Sequence, residues 1–366
     1  MLNRIVPISL DKNQSNHSYF TAQEYLERRF DREKGKLAFR AKTVEEWRSW
    51  HRRLENKLKA LTGYDTMRTC PLLPRVTERV EKGTYIRERV EIQTEPGIIM
   101  PIYVLIPKER RSEKMPVVIA PHGHDSGGKI TVAGCVEIQG VAERVKNYNY
   151  DYGVQFVREG FVVFCPDARG FGERREWTGQ GEDKLFSSTC LQLNQMAYPL
   201  GQTVAGMWAW DISRLIDYVQ SRKDCNPKKI GCAGLSGGGL QTLWAAALDR
   251  RISCAVISGY FYGYKESLLK LSNNCSCNYI PHLWEYVDMG DIAALIAPRP
   301  LLIETGTRDP LNGESGLKNV KSQYRIVKKA YALLNAKDRL AHDIFEGEHM
   351  WHGAKAIPWM KRWLGK

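Results

Sequence analysis

The strongest constraint on the fold is the alternation of short, fully apolar segments with helical stretches along most of the chain. Apolar runs of about four to eight residues bounded by turn residues are typical of strands buried on both faces. We predict strands at 84–93, 98–106, 116–120, 161–165, 229–233, 254–258, 300–304 and 342–345, and helices at 152–159, 207–221, 239–248, 320–334 and 358–364. This order predicts an α/β fold with a doubly wound, mostly parallel sheet. Ligands bind such sheets at the carboxyl ends of the strands, so function is expected there.

The first part of the chain has a different pattern. Residues 21–61 place apolar side chains at helical spacing, and Thr43 with Glu46 predicts a capping box that opens the second helix. Pro71 and Pro74 then end the helical pattern. We therefore predict a helical N-terminal extension over residues 1–80 and a larger α/β domain, which would carry any active site, over residues 81–366.

The composition argues against several classes of protein. No apolar run approaches the roughly 18 residues that a membrane span needs, and the N-terminus lacks the apolar core of a signal peptide. The nine cysteines are scattered and odd in number, so we expect free thiols in a reducing cytoplasm. The net charge of +13 comes from Lys and Arg interleaved with acids, which predicts a solvated surface and neither a nucleic-acid nor a membrane partner.

A glycine-flanked serine is the main candidate for chemistry. Gly234-Leu235-Ser236-Gly237-Gly238 follows the strand predicted at 229–233 and precedes the helix predicted at 239–248. A sharp strand-to-helix turn of this kind presents a serine hydroxyl at the edge of the sheet, and glycines permit its strained backbone. A phosphate-binding loop is the alternative, but no Lys follows the glycines as such a loop requires. The pattern therefore predicts Ser236 as a nucleophile.

A serine nucleophile needs a base that takes its proton and an acid that orients the base. Asp309 follows the strand predicted at 300–304, and His349 follows the strand predicted at 342–345. Serine, acid and histidine thus occur in the order expected when the nucleophile lies on such a turn. Glu304 stays open as the alternative acid and His352 as the alternative base, because both lie near the same strand ends.

The oxyanion formed in acyl transfer needs two N–H donors. Gly237 would supply one, and His124 would supply the other from the loop after the strand predicted at 116–120. His122 and His124 have the spacing of a metal-binding pair, and Cys275-Ser276-Cys277 is a second short motif. No further ligand is evident near either in the sequence, so we expect no metal site.

Three other segments carry expectations of their own. Asp167 and Arg169, after the strand predicted at 161–165, are expected to form an ion pair. A scaffold role is expected for Arg174 and Arg175, with a substrate role as the alternative. Segments 177–201 and 261–289 are rich in Tyr, Trp and Leu, and we expect them to wall a substrate pocket.

The motifs in order resemble the dienelactone-hydrolase and acetyl-xylan-esterase-like branch of the α/β-hydrolases. They are Pro121-His122-Gly123-His124, Pro166-Asp167-Ala168-Arg169-Gly170-Phe171-Gly172, Gly234-Leu235-Ser236-Gly237-Gly238 and Ala297-Pro298-Arg299-Pro300 with Asp309. The resemblance covers roughly residues 80–360. It implies the α/β-hydrolase fold, hydrolysis of small acyl esters through Ser236, Asp309 and His349, and no metal or organic cofactor.

The chain departs from that branch at two motifs. Ser236 stands where dienelactone hydrolases proper have a cysteine, which argues against their chemistry. Arg169-Gly170-Phe171 and His349-Met350 replace the Arg-Gly-Gln motif and the His-Glu pair of the hexameric acetyl xylan esterases. Neither the acetyl-xylan substrate nor that oligomeric state is therefore implied, and formation of a homo-oligomer stays open.

The sequence thus predicts a serine esterase for small acyl esters, with acetylated carbohydrates among the candidate substrates. An amidase or peptidase that uses the same triad is the first alternative. The second is a binding protein that holds an anionic polymer on its basic surface, and the ordered triad residues argue against it.

Overall fold

A computed structural model describes residues 20–109 and 112–365 of the protein, and its centre is one sheet of nine strands. The strands are β1 (Arg75–Lys82), β2 (Tyr85–Glu95), β3 (Ile98–Pro107), β4 (Met115–Ile119), β5 (Val162–Pro166), β6 (Cys225–Leu235), β7 (Cys254–Ser258), β8 (Leu301–Gly306) and β9 (Leu340–Phe345). Their order across the sheet is β1-β2-β3-β5-β4-β6-β7-β8-β9. β1, β2, β3 and β5 pair antiparallel, whereas β5, β4 and β6 to β9 are parallel. The predicted α/β fold with a mostly parallel sheet is confirmed.

The strand order reverses at β4. The chain runs from β4 to β5 on one side and then returns to place β6 on the other side of β4. At such a switch point the loops after the two adjacent strands diverge and leave a crevice. The loop after β4 and the turn after β6 flank this crevice, which is where the sequence predicts the chemistry.

Helices cover both faces of the sheet. They are α1 (Gln23–Glu33), α2 (Val44–Thr62), α3 (Lys129–Val132), α4 (Val141–Tyr148), α5 (Tyr152–Arg158), α6 (Cys190–Ala197), α7 (Val204–Ser221), α8 (Gly237–Leu248), α9 (Leu283–Tyr286), α10 (Met289–Ala294), α11 (Leu317–Leu333) and α12 (Ala356–Leu364). α2, α7, α8, α10 and α11 contribute to one apolar core, and α3, α4, α5 and α12 contribute to another. Among residues 20–109 and 112–365, none of the helices is both long and apolar enough to cross a membrane.

The N-terminal helix α2 begins at the predicted capping box. The Thr43 hydroxyl accepts the backbone N–H of Glu46 at 3.1 Å, and the Glu46 carboxylate accepts the backbone N–H of Thr43 at 3.3 Å. The helix buries Trp50, Leu54 and Leu58 in the core that it shares with α7 and α8. This segment therefore packs directly on the helical layer of the sheet.

The apolar pattern does not predict β1. Its residues are mostly charged and exposed, so the strand has no buried face that the sequence could reveal. It forms along the edge of β2, where Arg75 pairs across the strands with Glu91. β1 spans the boundary predicted near residue 80, and the division into an extension and a larger domain stays a prediction.

Candidate active site

Ser236 lies on the strained turn that the sequence predicts. It directly follows β6 and precedes α8, and its backbone adopts φ 59° and ψ −120°, a conformation that residues other than glycine rarely occupy. Its N–H donates to the carbonyl oxygen of Ser258, at the end of β7, over 2.9 Å. A Cβ at Gly238 would lie 2.2 Å from the carbonyl oxygen of Pro121, so the two backbone segments are too close there to leave room for a side chain. The turn leaves Ser236 half-buried at the crevice.

The structure brings His349 and Asp309 together beside this turn. His349 Nδ1 lies 2.8 Å from Asp309 Oδ2, and Asp309 Oδ1 accepts the backbone N–H of Leu311 at 2.9 Å. The Asp309 side chain is 2% exposed, while that of His349 is 23% exposed. The imidazole lies over Gly259, the residue after β7, where a Cβ would be 3.0 Å from His349 Cε1. Because Asp309 holds Nδ1, Nε2 is the nitrogen left to face a reacting group.

The alternative base and acid have other partners. His352 Nδ1 lies 2.7 Å from Asp343 Oδ2, and the other oxygen of that carboxylate binds Lys355 Nζ at 2.7 Å. Glu304 is fully buried and accepts the backbone N–H of Gly353 at 3.1 Å. Burial raises the pKa of Glu304 to about 7. His352 is thus paired with Asp343 and not with Asp309, and Glu304 is a buried side chain near the end of β8.

The two predicted N–H donors lie on loops that contact each other. A Cβ at Gly123 would be 2.6 Å from the carbonyl oxygen of Leu235 and 3.0 Å from the backbone nitrogen of Gly237. The loop after β4 therefore presses directly against the Ser236 turn. Within the described residues, neither the Gly237 N–H nor the His124 N–H has a hydrogen-bond acceptor. Unpaired donors beside a nucleophile are what a developing oxyanion requires.

His122 holds two loops together. Its Nε2 accepts the backbone N–H of Ala168 at 3.1 Å, so the ring proton is on Nδ1, which lies 2.8 Å from the carbonyl oxygen of Gly123. Burial lowers the pKa of His122 to about 4, and the ring therefore stays neutral at physiological pH. With both nitrogens engaged, His122 connects the loop after β4 to the loop after β5 and is not available to a metal ion.

His124 has a different environment. Its Nε2 lies 3.5 Å from the Sγ of Cys277, and the thiols of Cys190 and Cys275 join the same cluster. All four ligand atoms lie within 4.8 Å of one another. The expectation that no further ligand lies near His124 is therefore wrong. Neither short motif predicts the cluster, because the fold collects its members from three segments that are far apart in the sequence.

A cavity of about 300 Å³ opens in front of Ser236. It is lined by His124, Ser236, Gly237, Leu240, Tyr260, Tyr262, Asn273, Asn274, Cys275, Asn278 and Leu311. Segment 261–289 supplies much of this wall, as expected. Segment 177–201 lies wholly within the described residues and supplies none of it, so that expectation is wrong. Its helix α6 packs behind the wall instead, where Asn194 Nδ2 donates to the carbonyl oxygen of Ser276 at 2.8 Å.

The predicted ion pair between Asp167 and Arg169 is also wrong. Asp167 binds Lys129 Nζ at 2.7 Å, and both of these side chains are buried. Arg169 pairs with Asp211 at 2.8 Å, and Arg174 binds the same carboxylate at 2.7 Å. Asp167 and Arg169 thus point towards different helices, α3 and α7, although they are close neighbours in the sequence. Arg174 has the scaffold role that was expected.

Comparisons with known proteins agree with this architecture. The sequence pattern of the abhydrolase family matches residues 8–340. "Putative hydrolase YtaP" of Bacillus subtilis (strain 168) is 30% identical over 275 residues, which cover 72% of this chain and 83% of that protein. "Carbohydrate esterase MZ0003", from an unknown prokaryotic organism, is 27% identical over 269 residues, which cover 63% of this chain and 61% of that protein.

Among solved structures, the "putative acetyl xylan esterase" of Bacteroides fragilis NCTC 9343 superimposes with a TM-score of 0.79. The superposition covers 97% of both chains at 17% sequence identity, so it shows a shared fold. The family match spans the strands from β1 to β8 together with the Ser236 turn. The chain therefore belongs to the abhydrolase family, and it has the α/β-hydrolase fold.

Proposed function

We propose that the protein is a serine esterase in which Ser236 is the nucleophile, His349 the general base and Asp309 the acid that orients it. The observation that carries the proposal is the strained Ser236 turn beside a histidine held by a buried carboxylate. A hydroxyl on such a turn, a base with one nitrogen fixed, and free N–H donors together form the set that acyl transfer needs. Membership of a hydrolase family supports the same reaction class.

In the first half of the proposed reaction, Ser236 Oγ attacks the ester carbonyl carbon while His349 Nε2 takes the hydroxyl proton. The carbonyl oxygen becomes an oxyanion that accepts hydrogen bonds from the N–H groups of Gly237 and His124. Asp309 stabilises the imidazolium through Nδ1. When the tetrahedral intermediate collapses, the bond to the alcohol oxygen breaks, His349 returns the proton to that oxygen, and the acyl group stays on Ser236.

In the second half, water replaces the alcohol. His349 Nε2 takes a proton from a water molecule, whose oxygen attacks the carbonyl carbon of the acyl-enzyme. The same two N–H groups hold the second oxyanion. Collapse breaks the bond to Ser236 Oγ, which regains the proton from His349, and the carboxylic acid leaves. No metal or organic cofactor takes part in these steps.

For the substrate we infer an ester of a carbohydrate, with an acetyl group as the first candidate acyl group. The wall of the cavity supports a polar substrate, since it is lined by the amide side chains of Asn273 and Asn274 and by the rings of Tyr260 and Tyr262. The Tyr262 hydroxyl is buried, and among the described residues it has no hydrogen-bond partner. The relative named as a carbohydrate esterase and the likeness to an acetyl xylan esterase point the same way. We also expect the protein to act in the cytoplasm, because its nine cysteines are all free thiols.

The first experiment tests the site with p-nitrophenyl acetate and three variants. Ser236→Ala and His349→Ala should each lower kcat by about 10³-fold or more, because members of a triad act as a unit. His352→Ala is the matched control, since it removes a histidine that pairs with another carboxylate, and its kcat should stay near that of the parent. A fluorophosphonate probe should label Ser236. Labelling of another serine, or full activity of Ser236→Ala, would refute the assignment.

The second experiment separates the substrate classes. The parent protein would be assayed on p-nitrophenyl acetate and butyrate, acetylated xylan, a methyl ester of a uronic acid, and p-nitroacetanilide. We expect acetylated sugars to give the highest kcat/KM. A preference for the uronate ester would keep the carbohydrate esterase but reverse which side of the ester bond carries the sugar. Faster turnover of the anilide than of the matched acetate ester would favour an amidase or peptidase instead.

A further inference from the structure

Four side chains that commonly bind metals meet at the wall of the cavity, which two of them help to line. His124 comes from the loop after β4, Cys190 opens α6, and Cys275 and Cys277 flank Ser276 in the segment between β7 and α9. All nine cysteines of the chain are free thiols, and no other group of three or more metal-binding residues in the described part of the chain contains a cysteine. We propose that these four residues bind one Zn²⁺ ion in a tetrahedral Cys₃His site.

The distances fit such a site. With Zn–S bonds of about 2.3 Å and a Zn–N bond of about 2.0 Å, a tetrahedron has S···N edges of roughly 3.5 Å and S···S edges of roughly 3.8 Å. His124 Nε2 lies 3.5 Å from Cys277 Sγ, and the four ligand atoms all lie within 4.8 Å of one another. A metal ion at the centre therefore needs only small adjustments of side-chain torsions.

The surroundings also favour a closed, structural site. Cys190 and Cys277 are fully buried, while His124 and Cys275 are half-buried. Asn278 Nδ2 donates to the backbone carbonyl of Cys275 at 3.0 Å and lies 3.6 Å from Cys277 Sγ. Such contacts hold ligands in place and stabilise the negative charge of a metal-bound thiolate. Four protein ligands leave no open coordination position, so the ion would have a structural role.

The ligand set selects the metal. Three thiolates and an imidazole are soft and borderline donors, which exclude Mg²⁺ and Ca²⁺ and favour zinc in a tetrahedral geometry. The fold brings the ligands from three segments, as structural zinc sites commonly do. A disulfide between two of the thiols is the competing chemistry, and it would leave a thiol and an imidazole without a role.

The position of the site gives the ion a consequence for catalysis. Only Nε2 of His124 faces the thiols, because the other edge of the ring faces Gly237, where a Cβ would be 2.9 Å from His124 Nδ1. The ion would therefore tie the loop that carries one oxyanion donor to the wall formed by Cys275 and Asn278. This consequence rests on the proposed esterase function, whereas metal binding itself is tested without reference to activity.

The full-length protein would be purified under reducing conditions from zinc-supplemented medium and analysed for metals by inductively coupled plasma mass spectrometry. We expect about one zinc ion per chain in the parent protein. Cys275→Ser should lower the zinc content by about tenfold or more, because it removes one of the four ligands. Cys70→Ser is the matched control, a half-buried thiol outside the cluster, and it should retain the full zinc content.

A second measurement covers the case in which Cys275→Ser does not fold. The parent protein would be stripped with a chelator and reloaded with Co²⁺, which should give a thiolate-to-cobalt charge-transfer band and the intense visible bands of a tetrahedral ion. Zn²⁺ should abolish both. Zinc well below one ion per chain, a preference for iron or copper, an octahedral cobalt spectrum, or only seven free thiols in the unfolded protein would each overturn the proposal.

Discussion

A methyl group at Gly123 should disable the oxyanion site without unfolding the protein. The Cβ of Gly123→Ala would lie 2.6 Å from the carbonyl oxygen of Leu235 and 3.0 Å from the nitrogen of Gly237. An ordinary contact needs about 3.4 Å, so the loop after β4 and the Ser236 turn must separate by about 0.8 Å. A hydrogen bond of about 2.9 Å would lengthen to about 3.7 Å, which is outside the range of an effective bond.

The expected loss equals that of one oxyanion donor. Removing such a donor lowers kcat by about 10²- to 10³-fold, or about 3 to 4 kcal/mol of transition-state stabilisation. KM should change little, because the interaction strengthens only as charge develops on the oxygen. The free energy of unfolding should fall by about 1 to 3 kcal/mol, the usual result of overpacking. The measurements are kcat and KM on p-nitrophenyl acetate, together with urea unfolding.

Gly153→Ala provides the control for crowding alone. Its Cβ would also lie 2.6 Å from a backbone oxygen, that of Val132, but it belongs to α5 and not to the crevice. It should lose stability and keep its kcat. If Gly123→Ala is folded and retains kcat within about twofold, the donors of Gly237 and His124 do not bind the oxyanion and the argument fails. If Gly123→Ala and Gly153→Ala lose kcat equally, the loss is caused by reduced stability and not by the oxyanion site.

Three further predictions test other parts of the structure. Asp309→Asn should lower kcat by about 10⁴-fold, because an amide no longer holds the base in the required tautomer, while Asp343→Asn should stay near the parent; equal kcat values would contradict the pairing. Asp211→Asn should lower the free energy of unfolding in urea by about 3 to 5 kcal/mol, since the buried Arg174 loses its carboxylate partner and Arg169 keeps only Glu95; a much smaller loss would show that the two guanidinium groups do not depend on Asp211. Burial lowers the pKa of His122 from 6.5 to about 4. Below pH 6.5 the unfolded chain therefore takes up a proton that the folded protein does not, and the free energy of unfolding falls as the pH drops towards 4. Between pH 7.5 and pH 5 the fall in the free energy of unfolding amounts to about 2 kcal/mol. In urea unfolding, His122→Gln should show a fall over the same interval that is smaller by this amount. If the pH dependence of the variant equals that of the parent, the ring is not held neutral.

The sheet could be predicted because burial on both faces leaves a local signal. β5 and β7 are fully buried and almost wholly apolar, and the strands predicted at 161–165 and 254–258 match them to within one residue. The Ser236 turn was predictable for a related reason, since its strained backbone demands glycines at fixed positions. The order of acid and histidine along the chain then placed Asp309 and His349 at neighbouring strand ends, and the structure joins them by a hydrogen bond.

Contacts between distant segments left no such signal. Asp167 and Arg169 are two positions apart, yet each pairs with a residue about 40 positions away because the loop directs them to different elements. The cluster around His124 combines residues up to 153 positions apart, and no spacing rule covers that distance. A motif records what the local backbone needs, whereas these pairings depend on how helices and loops pack against the sheet.

The charged edge strand β1 has a consequence for the behaviour of the protein in a crowded cell. A strand at the rim of a sheet has free backbone groups and can serve as a template for the strand of another molecule, which is a common route to aggregation. On β1, Arg75, Arg79 and Glu81 are exposed and would have to give up water before another chain could pair there. The charged residues that made β1 unpredictable from its apolar pattern therefore also oppose the pairing of this edge with strands of other molecules.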